Sequence, residues 1–252
     1  MLCQLLGRTC GSAPNAFTVQ ILYIFDVNQQ ARGGPQNIPR PEDWRRGDTA
    51  PWRNSALTDL KQLENNLASR VPGQQQTGAP PPKRHSAVLI ALYNESEPTV
   101  ILTRRTQHMR SHSGEVSFPG GAQDPGESLW DTACREAYEE ISLDRSLIQQ
   151  IGELDHLTTV SSKARIVPYV ARLSAAPVLT ANPDEVDEIL LVPLAELTQP
   201  GVYRQELWKW PNSDSWRPVH FFELYGDTVW GATANLLYQL LTSGIEPTEL
   251  EI

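Results

Sequence analysis

The stretch GAQDPGESLWDTACREAYEEISL, which runs from Gly121 to Leu143, decides the fold of this chain. Pro125 and Gly126 mark a turn. The run over 129–141 that follows contains neither Gly nor Pro. Apolar residues recur along one side of that run at helical spacing, which predicts a loop leading into a helix that packs on a core.

Three carboxylates share one face of this predicted helix. Glu136, Glu139 and Glu140 are spaced i, i+3 and i+4, which makes them neighbours on a helix surface. Like charges so close repel unless they are neutralised, and Mg²⁺ or Mn²⁺ does so because hard cations prefer carboxylate oxygens. Proteins use metal ions held in this way to hydrolyse diphosphates, so the pattern favours an enzyme. The alternative is an exposed acidic helix with solvated carboxylates, and the fixed spacing of Gly121 and Glu127 upstream argues against it.

The stretch resembles the Nudix box of nucleoside-diphosphate-linked hydrolases, G-x5-E-x7-R-E-U-x-E-E-x-G-U, in which U is apolar. The matching positions are Gly121, Glu127, Arg135, Glu136, Ala137, Glu139, Glu140 and Leu143. The chain departs from the box at Ser142, where the family usually has Gly. Because a left-handed backbone is favoured after a helix, Ser142 predicts either some loss of stability or a slightly different helix exit. It removes no metal ligand.

The segment before the box narrows the resemblance. Its sequence, ILTRRTQHMRSHSGEVSFPGG over 101–121, is similar to the signature of the coenzyme A diphosphatase branch, L-L-T-x-R-[SA]-x3-R-x3-G-x3-F-P-G-G. Ile101 and Thr106 are mild departures from this signature. The resemblance implies a substrate-binding set formed by Arg105, Arg110, Gly114, Phe118 and Gly121.

The box resemblance also implies roles for the acidic residues, with Mg²⁺ or Mn²⁺ as the cofactor. The implied metal ligands are Glu136, Glu139 and Glu140, helped by the backbone at Gly120. The implied catalytic set is Glu136, Glu139, Arg135 and Glu127.

Within the catalytic set, Glu127 and Arg135 are expected to form a pair that braces the loop against the helix. Either Glu136 or Glu139 is a candidate general base. A later acidic loop offers Glu185 and Glu188 as further candidates, although a solvated loop before a strand is the simpler interpretation of each.

The charge pattern supports an anionic substrate. The chain carries a net charge of −9 at pH 7. Residues 101–121 nevertheless hold three arginines against the single acid Glu115, and guanidinium groups bind phosphates in bidentate fashion. Coenzyme A, with a 3′-phosphate and a diphosphate, offers targets to both the arginines and the metal. Arg104 alternates with Arg105 on a predicted strand, so its side chain is expected on the opposite face of the sheet. For Arg104, an ion pair with nearby acids and a contact with a phosphate are equally plausible.

The expected fold is α/β, a Nudix α/β/α sandwich with a mixed sheet and an N-terminal extension. Strands are predicted at 86–94, 99–105, 151–159, 165–173, 186–192, 203–210 and 219–225, with a buried helix at 228–243. The expected organisation is a disordered or mis-started extension over 1–55, a helix and Pro-rich linker over 56–84, the Nudix domain over 85–245 and a tail over 246–252.

Composition excludes several classes of protein. The negative net charge argues against general nucleic-acid binding. The apolar run over 17–25 is too short for a membrane span, which needs about 20 residues. Cys3, Cys10 and Cys134 form neither a disulfide framework nor a zinc pattern, which predicts a cytoplasmic protein. The expected partner is a small molecule, coenzyme A or a derivative, and a homodimer is left open.

Two alternatives to coenzyme A hydrolysis remain at this point. One is a Nudix hydrolase of another diphosphate, such as ADP-ribose or a dinucleotide cofactor. The other is a non-catalytic Nudix-fold module that binds a nucleotide or a protein, which the retained box glutamates argue against.

Overall fold

Strands and helices alternate in the computed structural model, which describes residues 32–52, 60–73, 84–94, 96–109, 112–158, 164–210 and 214–244. The strands in these ranges are β1 (Trp44–Arg46), β2 (Arg84–Asn94), β3 (Pro98–Arg105), β4 (Val116–Ser117), β5 (Gly120–Ala122), β6 (Ile148–Glu153), β7 (Leu157–Thr158), β8 (Ala164–Leu173), β9 (Val186–Pro193), β10 (Tyr203–Trp208), β11 (Arg217–Glu223) and β12 (Thr228–Trp230). The helices are α1 (Leu60–Ala68), α2 (Leu129–Ile141), α3 (Leu194–Leu197) and α4 (Gly231–Gly244).

The larger of two sheets is mixed. Its strands follow the order β4-β3-β2-β8-β6, while β5, β7 and β9 pair with β2, β8 and β3. Strands β2 and β8 run parallel, and β3 pairs antiparallel with both β2 and β9. The predicted strands at 86–94 and 99–105 correspond to β2 and β3, which pair antiparallel with Leu92 opposite Val100. Two parallel neighbours need a crossover, and the chain between β2 and β8 contains the box helix α2.

Alternate residues of β2 are buried on opposite faces of this sheet. Ile90 and Leu92 belong to the core that includes α1 and α4, whereas Leu89 and Ala91 belong to the core under α2. A strand buried on both faces is typical of a sheet between two helical layers. The predicted α/β/α sandwich is therefore confirmed.

The second sheet, with strand order β1-β10-β11-β12, is antiparallel throughout. Its edge strand β1 comes from the segment that composition predicts to be a disordered or mis-started extension. Trp44 lies opposite Trp208, and Trp52, only 5% exposed, stacks on Phe222 with ring centroids 6.3 Å apart. The structure differs from the expectation over 32–52 because burying aromatic rings outweighs the Pro and Gly content.

Two element boundaries also differ from the prediction. Residues 228–230 form strand β12, and helix α4 begins only at Gly231. A β-branched pair followed by Trp fits a pleated surface better than a helix start. The strand expected at 151–159 is divided into β6 and β7, with a register shift in β6 between Gln150 and Gly152.

The remaining expectations for the ends of the chain lie mostly outside the described residues. These are the extension over 1–31, the residues over 53–59, the linker over 74–83 and the tail from 246. Within the segment expected to hold a helix and linker, residues 60–68 form helix α1, which buries Leu60, Leu63 and Leu67. None of the described helices is both long and apolar enough to cross a membrane.

A buried histidine on β11 couples folding to pH. His220 is 5% exposed, its Nδ1 lies 2.8 Å from the hydroxyl of Tyr203, and its ring stacks on Tyr238. Burial lowers the pKa of His220 from its ordinary value of 6.5 to about 4. The folded protein therefore keeps this imidazole neutral where the unfolded chain would protonate it.

We expect this histidine to cost stability in acid. The unfolded chain binds a proton near pH 6.5 and the folded chain only near pH 4, so the free energy of unfolding falls as the pH drops through that window. The loss over the whole window is about 3 kcal/mol. Urea unfolding of the wild type and His220→Gln, at the upper and lower ends of this pH window, measures the loss. The free energy of unfolding should fall further in the wild type than in the variant. Equal losses in the two proteins would contradict a buried neutral imidazole.

Candidate active site

Capping contacts fix the start of helix α2. Ser128 is the N-cap, and its hydroxyl accepts a hydrogen bond from the backbone N–H of Asp131 at 3.1 Å. The hydroxyl of Thr132 donates to Oε2 of Glu127 at 2.8 Å. Because an N-cap satisfies amides that the helix leaves free, the acidic residues that follow project from a well-defined element.

Glu127 and Arg135 form the brace that the resemblance to the Nudix box implies. Arg135 Nε donates to Glu127 Oε1 at 3.0 Å, and Nη2 donates to Oε2 at 3.2 Å. Nη2 also donates to the carbonyl of Ala122 on β5 at 3.1 Å. The hydrogen bond from Arg135 holds the pKa of Glu127 below its usual range. Loop, strand and helix are therefore tied together by one guanidinium.

The three carboxylates lie on one face of α2 at different depths. The side chains of Glu136, Glu139 and Glu140 are 16%, 51% and 3% exposed. Arg135 Nη1 contacts Glu139 Oε2 at 2.7 Å and Glu136 Oε1 at 2.9 Å. In their present side-chain positions, no three acidic, His or Cys side chains in the described ranges converge into an ion-binding group.

Glu140 is the deepest of the three carboxylates. Burial raises the pKa of Glu140 to about 8, although Arg105 and the Gly120 amide oppose that shift. The nearest atom of Arg105, Nη1, lies 3.6 Å from Oε1, and Oε2 has no hydrogen-bond partner in the structure. Burial also raises the pKa of Glu136. Glu140 is thus buried without full compensation and Glu136 is half-buried beside it, an arrangement that a cation would stabilise.

Two glycines let the backbone of β5 approach these acids. A Cβ on Gly121 would lie 2.5 Å from Oε1 and 2.6 Å from Oε2 of Glu136. A Cβ on Gly120 would lie 2.7 Å from the Cα of Val88 and would collide with the carbonyl of Ala87. The backbone therefore excludes a side chain at Gly120, and a side chain at Gly121 would displace the carboxylate of Glu136.

A comparison with protein families identifies this arrangement. The NUDIX domain model matches residues 83–212, which is about half of the chain and includes the whole box. The chain belongs to the Nudix family. It is a Nudix hydrolase, so the expectation of an enzyme is confirmed, and members of the family act on nucleoside diphosphate derivatives.

Two curated relatives are both named uncharacterized Nudix hydrolase NudL. The protein from Photorhabdus laumondii subsp. laumondii is 36% identical over 168 residues, which cover 64% of this chain and 88% of the relative. The protein from Salmonella paratyphi B is 36% identical over 172 residues, covering 66% of this chain and 85% of the relative. The chain is thus a NudL-like Nudix hydrolase, in agreement with its two motifs.

Among solved structures, a MutT/nudix family protein from Enterococcus faecalis is similar to this chain. The two share 16% identity with a TM-score of 0.45, and the match covers 73% of this chain and 68% of the other.

The acidic residues fit the divalent metal ions that Nudix hydrolases generally use. Glu140 supplies a buried carboxylate with an oxygen that nothing in the described structure satisfies. Glu136 and Glu139 are its neighbours on the same helix face, and both contact the guanidinium of Arg135. Carboxylate oxygens are the donors that hard cations prefer, and a cation here would offset the burial of Glu140.

Ser142 shows how this Nudix box tolerates the missing glycine. The residue adopts a left-handed backbone with φ 56° and ψ 30°, and its N–H donates to the carbonyl of Tyr138 at 2.8 Å. The helix therefore ends as a glycine would end it. Of the two expected consequences, the structure shows strain in the backbone and not an altered exit, since a non-glycine residue is disfavoured in this conformation.

Replacing Ser142 by Gly should therefore stabilise the protein. Relief of the left-handed strain is partly offset by the greater freedom of glycine in the unfolded chain, which leaves a gain of about 1 kcal/mol. Urea unfolding of Ser142→Gly measures the gain, and Ser146→Gly is a control on the following turn. A variant less stable than the wild type would contradict this account of the helix end.

The residues of the motif before the box lie in three different environments. Arg105 faces Glu140, as its predicted place at the site requires, while Arg104 points away and pairs with acids. Gly114 has φ +69°, which a glycine adopts easily. Phe118, from the implied substrate set, is 2% exposed and belongs to the apolar core, so packing is the role that its position supports. Arg110 lies outside the described residues.

The later acidic loop separates its two candidate glutamates. Glu185 is close enough to Glu136 and Glu140 to help raise the pKa of both carboxyls, after burial as the main cause. Its loop is anchored to the end of α2, because the N–H of Asn182 donates to the carbonyl of Glu140 at 2.8 Å. Glu188 instead pairs with Arg104 at 2.6 Å. Glu185 is therefore the candidate that belongs to the site.

Sequence reasoning missed two residues beside the motif. Asp227 is 1% exposed and binds Arg104, and Gln36 joins Asp227 to Gly114. Asp227 follows Gly226 in what the sequence presents as an ordinary turn. The sequence indicates that Arg104 can pair with an acid, but it does not identify Asp227 as that acid.

Proposed function

We propose that this Nudix hydrolase cleaves the diphosphate bond of coenzyme A or its derivatives with Mg²⁺ or Mn²⁺. The products are 3′,5′-ADP and 4′-phosphopantetheine, or its acylated form. The observation that carries the proposal is the buried, incompletely paired Glu140 carboxylate beside Arg105, at the junction of the Nudix box and the motif before it. An acidic cluster that needs a cation and an arginine that suits a phosphate then lie side by side.

The acidic residues divide into ligands and a brace. Glu136, Glu139 and Glu140 would hold the cation, which when bound neutralises charge on the diphosphate. Glu127 and Arg135 hold strand β5 against helix α2. They therefore position the metal ligands and do not contact the reacting atoms.

The reaction needs one water and one base. The water oxygen attacks a phosphorus of the diphosphate, the bridging P–O bond breaks, and a carboxylate accepts the proton that the water loses. Glu136 and Glu139 are candidate bases. Glu185 is a third, because its charge acts on the pKa of Glu136 from the neighbouring loop.

The proposal depends on the basic residues before the box for its choice of coenzyme A. Arg105 and Arg110 carry the charge that would bind the phosphates, and only Arg105 lies within the described residues. The alternative is another diphosphate, ADP-ribose or a dinucleotide, cleaved by the same acidic cluster.

A substrate comparison tests this choice. We would measure kcat/KM for coenzyme A, ADP-ribose and a dinucleotide with the wild type and Arg110→Ala at saturating Mg²⁺. We expect coenzyme A to be the best wild-type substrate and the variant to lose selectively on it. Equal losses on all three substrates would assign Arg110 a general role and favour the alternative.

Cytoplasmic localisation and a homodimer stay predictions.

A further inference from the structure

The loop that joins β3 to β4 carries two of the residues assigned to the substrate. It spans 106–115, contains Arg110 and Gly114, and its described parts are 106–109 and 112–115. Loops at binding sites work best when other elements restrain them, because an unrestrained loop loses conformational entropy on binding. The contacts at its two ends are therefore informative.

Asp227 secures the first end of this loop. Arg104, the second-last residue of β3, donates to Asp227 from Nε at 2.8 Å and from Nη2 at 2.7 Å. Asp227 is 1% exposed, so this bidentate pair is largely shielded from water. The hydrogen bond to Asp227 raises the pKa of Arg104. The strand end from which the loop departs is held by the turn between β11 and β12.

Gln36 secures the second end. Its Nε2 donates to the carbonyl of Gly114 at 3.2 Å and to Oδ1 of Asp227 at 2.7 Å. Its Oε1 accepts from the backbone N–H of Thr228 at 2.7 Å. The amide thus uses both hydrogens and its oxygen, and it joins the loop to the same carboxylate that holds the first end.

Close packing keeps Gln36 in place. We call residues 32–36 the N-terminal strap. The N–H of Gly34 in the strap donates to Oγ1 of Thr228 at 3.0 Å. A Cβ on Gly34 would lie 2.5 Å from Oε1 of Gln36 and 2.6 Å from the Cα of Asp227. The strap therefore lies directly on the β11–β12 turn, with no room for a side chain between them.

We propose that Gln36 and Asp227 are positioning residues that hold the substrate loop at both ends and so set the affinity for the substrate. This inference rests on the proposed function, since it needs the loop to contact the substrate. The acidic ligands on α2 are anchored separately through Glu127 and Arg135. Loosening the strap should consequently weaken binding and leave the chemical step unchanged.

The decisive variant is Gln36→Glu. It keeps the size of the side chain but replaces the two donated hydrogens by a carboxylate that faces Asp227 and the Gly114 carbonyl. With coenzyme A at saturating Mg²⁺ we expect KM to rise roughly tenfold, the effect of losing one or two buried hydrogen bonds, with kcat unchanged. Gln150→Glu, an exposed position on the opposite edge strand β6, is the matched charge control.

A second variant tests the same role without introducing a charge, and it still applies if Gln36→Glu fails to fold. Gly34→Ala adds a methyl group against Gln36 and Asp227, and it should raise KM in the same way. Hydrogen exchange at 112–115 should also become faster in both variants than in the Gln150→Glu control. This readout does not need a substrate.

The outcomes separate the two proposals. Unchanged KM in both strap variants, or a fall in kcat that follows a fall in the melting temperature, would overturn the positioning role. If the wild type cleaves ADP-ribose or a dinucleotide and not coenzyme A, the substrate assignment fails. The role of the strap is then tested by whether its variants raise KM for the compound that is cleaved. If no diphosphate is cleaved, unchanged exchange at 112–115 overturns the restraint itself.

Discussion

Glu140→Gln should abolish diphosphate hydrolysis and leave the fold intact. The carboxylate is 3% exposed, lacks a partner for Oε2, and has a pKa raised by burial to about 8. Burial thus favours the neutral form of this carboxyl when no cation is bound, and glutamine imitates that neutral form closely. The folded protein should tolerate the exchange, whereas a divalent cation loses its most buried ligand.

We expect turnover of the Glu140→Gln variant to fall by roughly 10³-fold, the scale on which removal of a transition-state charge partner acts. Steady-state rates at fixed Mg²⁺ measure the loss. A thermal shift gives a second readout, because Mn²⁺ or Mg²⁺ should stabilise the wild type and not the variant. Without metal, the two proteins should melt at similar temperatures.

Glu139→Gln should also lose turnover, and the chain offers a matched control for it. Glu139 and Glu188 both have side chains that are 51% exposed, but Glu188 pairs with Arg104 on the far face of β3. Glu188→Gln should keep nearly full activity. A Glu139→Gln or Glu140→Gln protein with wild-type Mg²⁺-dependent activity would contradict the assignment of the ligands.

Gly121→Ala should have the second largest effect. Its added Cβ would lie 2.5 Å and 2.6 Å from the oxygens of Glu136, so the carboxylate must move. The backbone of Gly121 is not left-handed, so alanine meets a steric conflict without a conformational one. A displacement of about 1 Å in an active site costs roughly 10²-fold in rate, and we expect that loss in kcat/KM.

Gly152→Ala is the steric control for Gly121→Ala. Its Cβ would lie 2.8 Å from the Cβ of Leu67, on the side of the sheet that packs on α1. It should lower the melting temperature and leave turnover per folded molecule unchanged. If Gly121→Ala instead lost only stability, the close approach to Glu136 would have no catalytic role.

The sequence predicts helix α2 and its carboxylates well because their signals are local. Glycine and proline mark the turn, Ser128 supplies the cap, and the carboxylates follow from helical periodicity alone. The brace between Glu127 and Arg135 lies within the same short stretch, and the resemblance to the Nudix box implies it.

Other features depend on contacts that are distant in the chain. Trp52 lies in the core although Pro and Gly surround its segment, because local composition does not reveal the aromatic rings it meets. Phe118 was assigned to the substrate from a motif, and its burial is visible only in the folded sheet. Gln36 and Asp227 meet across 191 residues, a separation that no short pattern encodes.

The most direct test of the central claim is the release of 3′,5′-ADP from coenzyme A, measured by chromatography with and without Mg²⁺ or Mn²⁺. Our account predicts equal amounts of 3′,5′-ADP and 4′-phosphopantetheine when the metal is present and neither when it is chelated. A folded protein that releases no 3′,5′-ADP with either metal, or releases it equally well after chelation, would contradict metal-dependent coenzyme A hydrolysis.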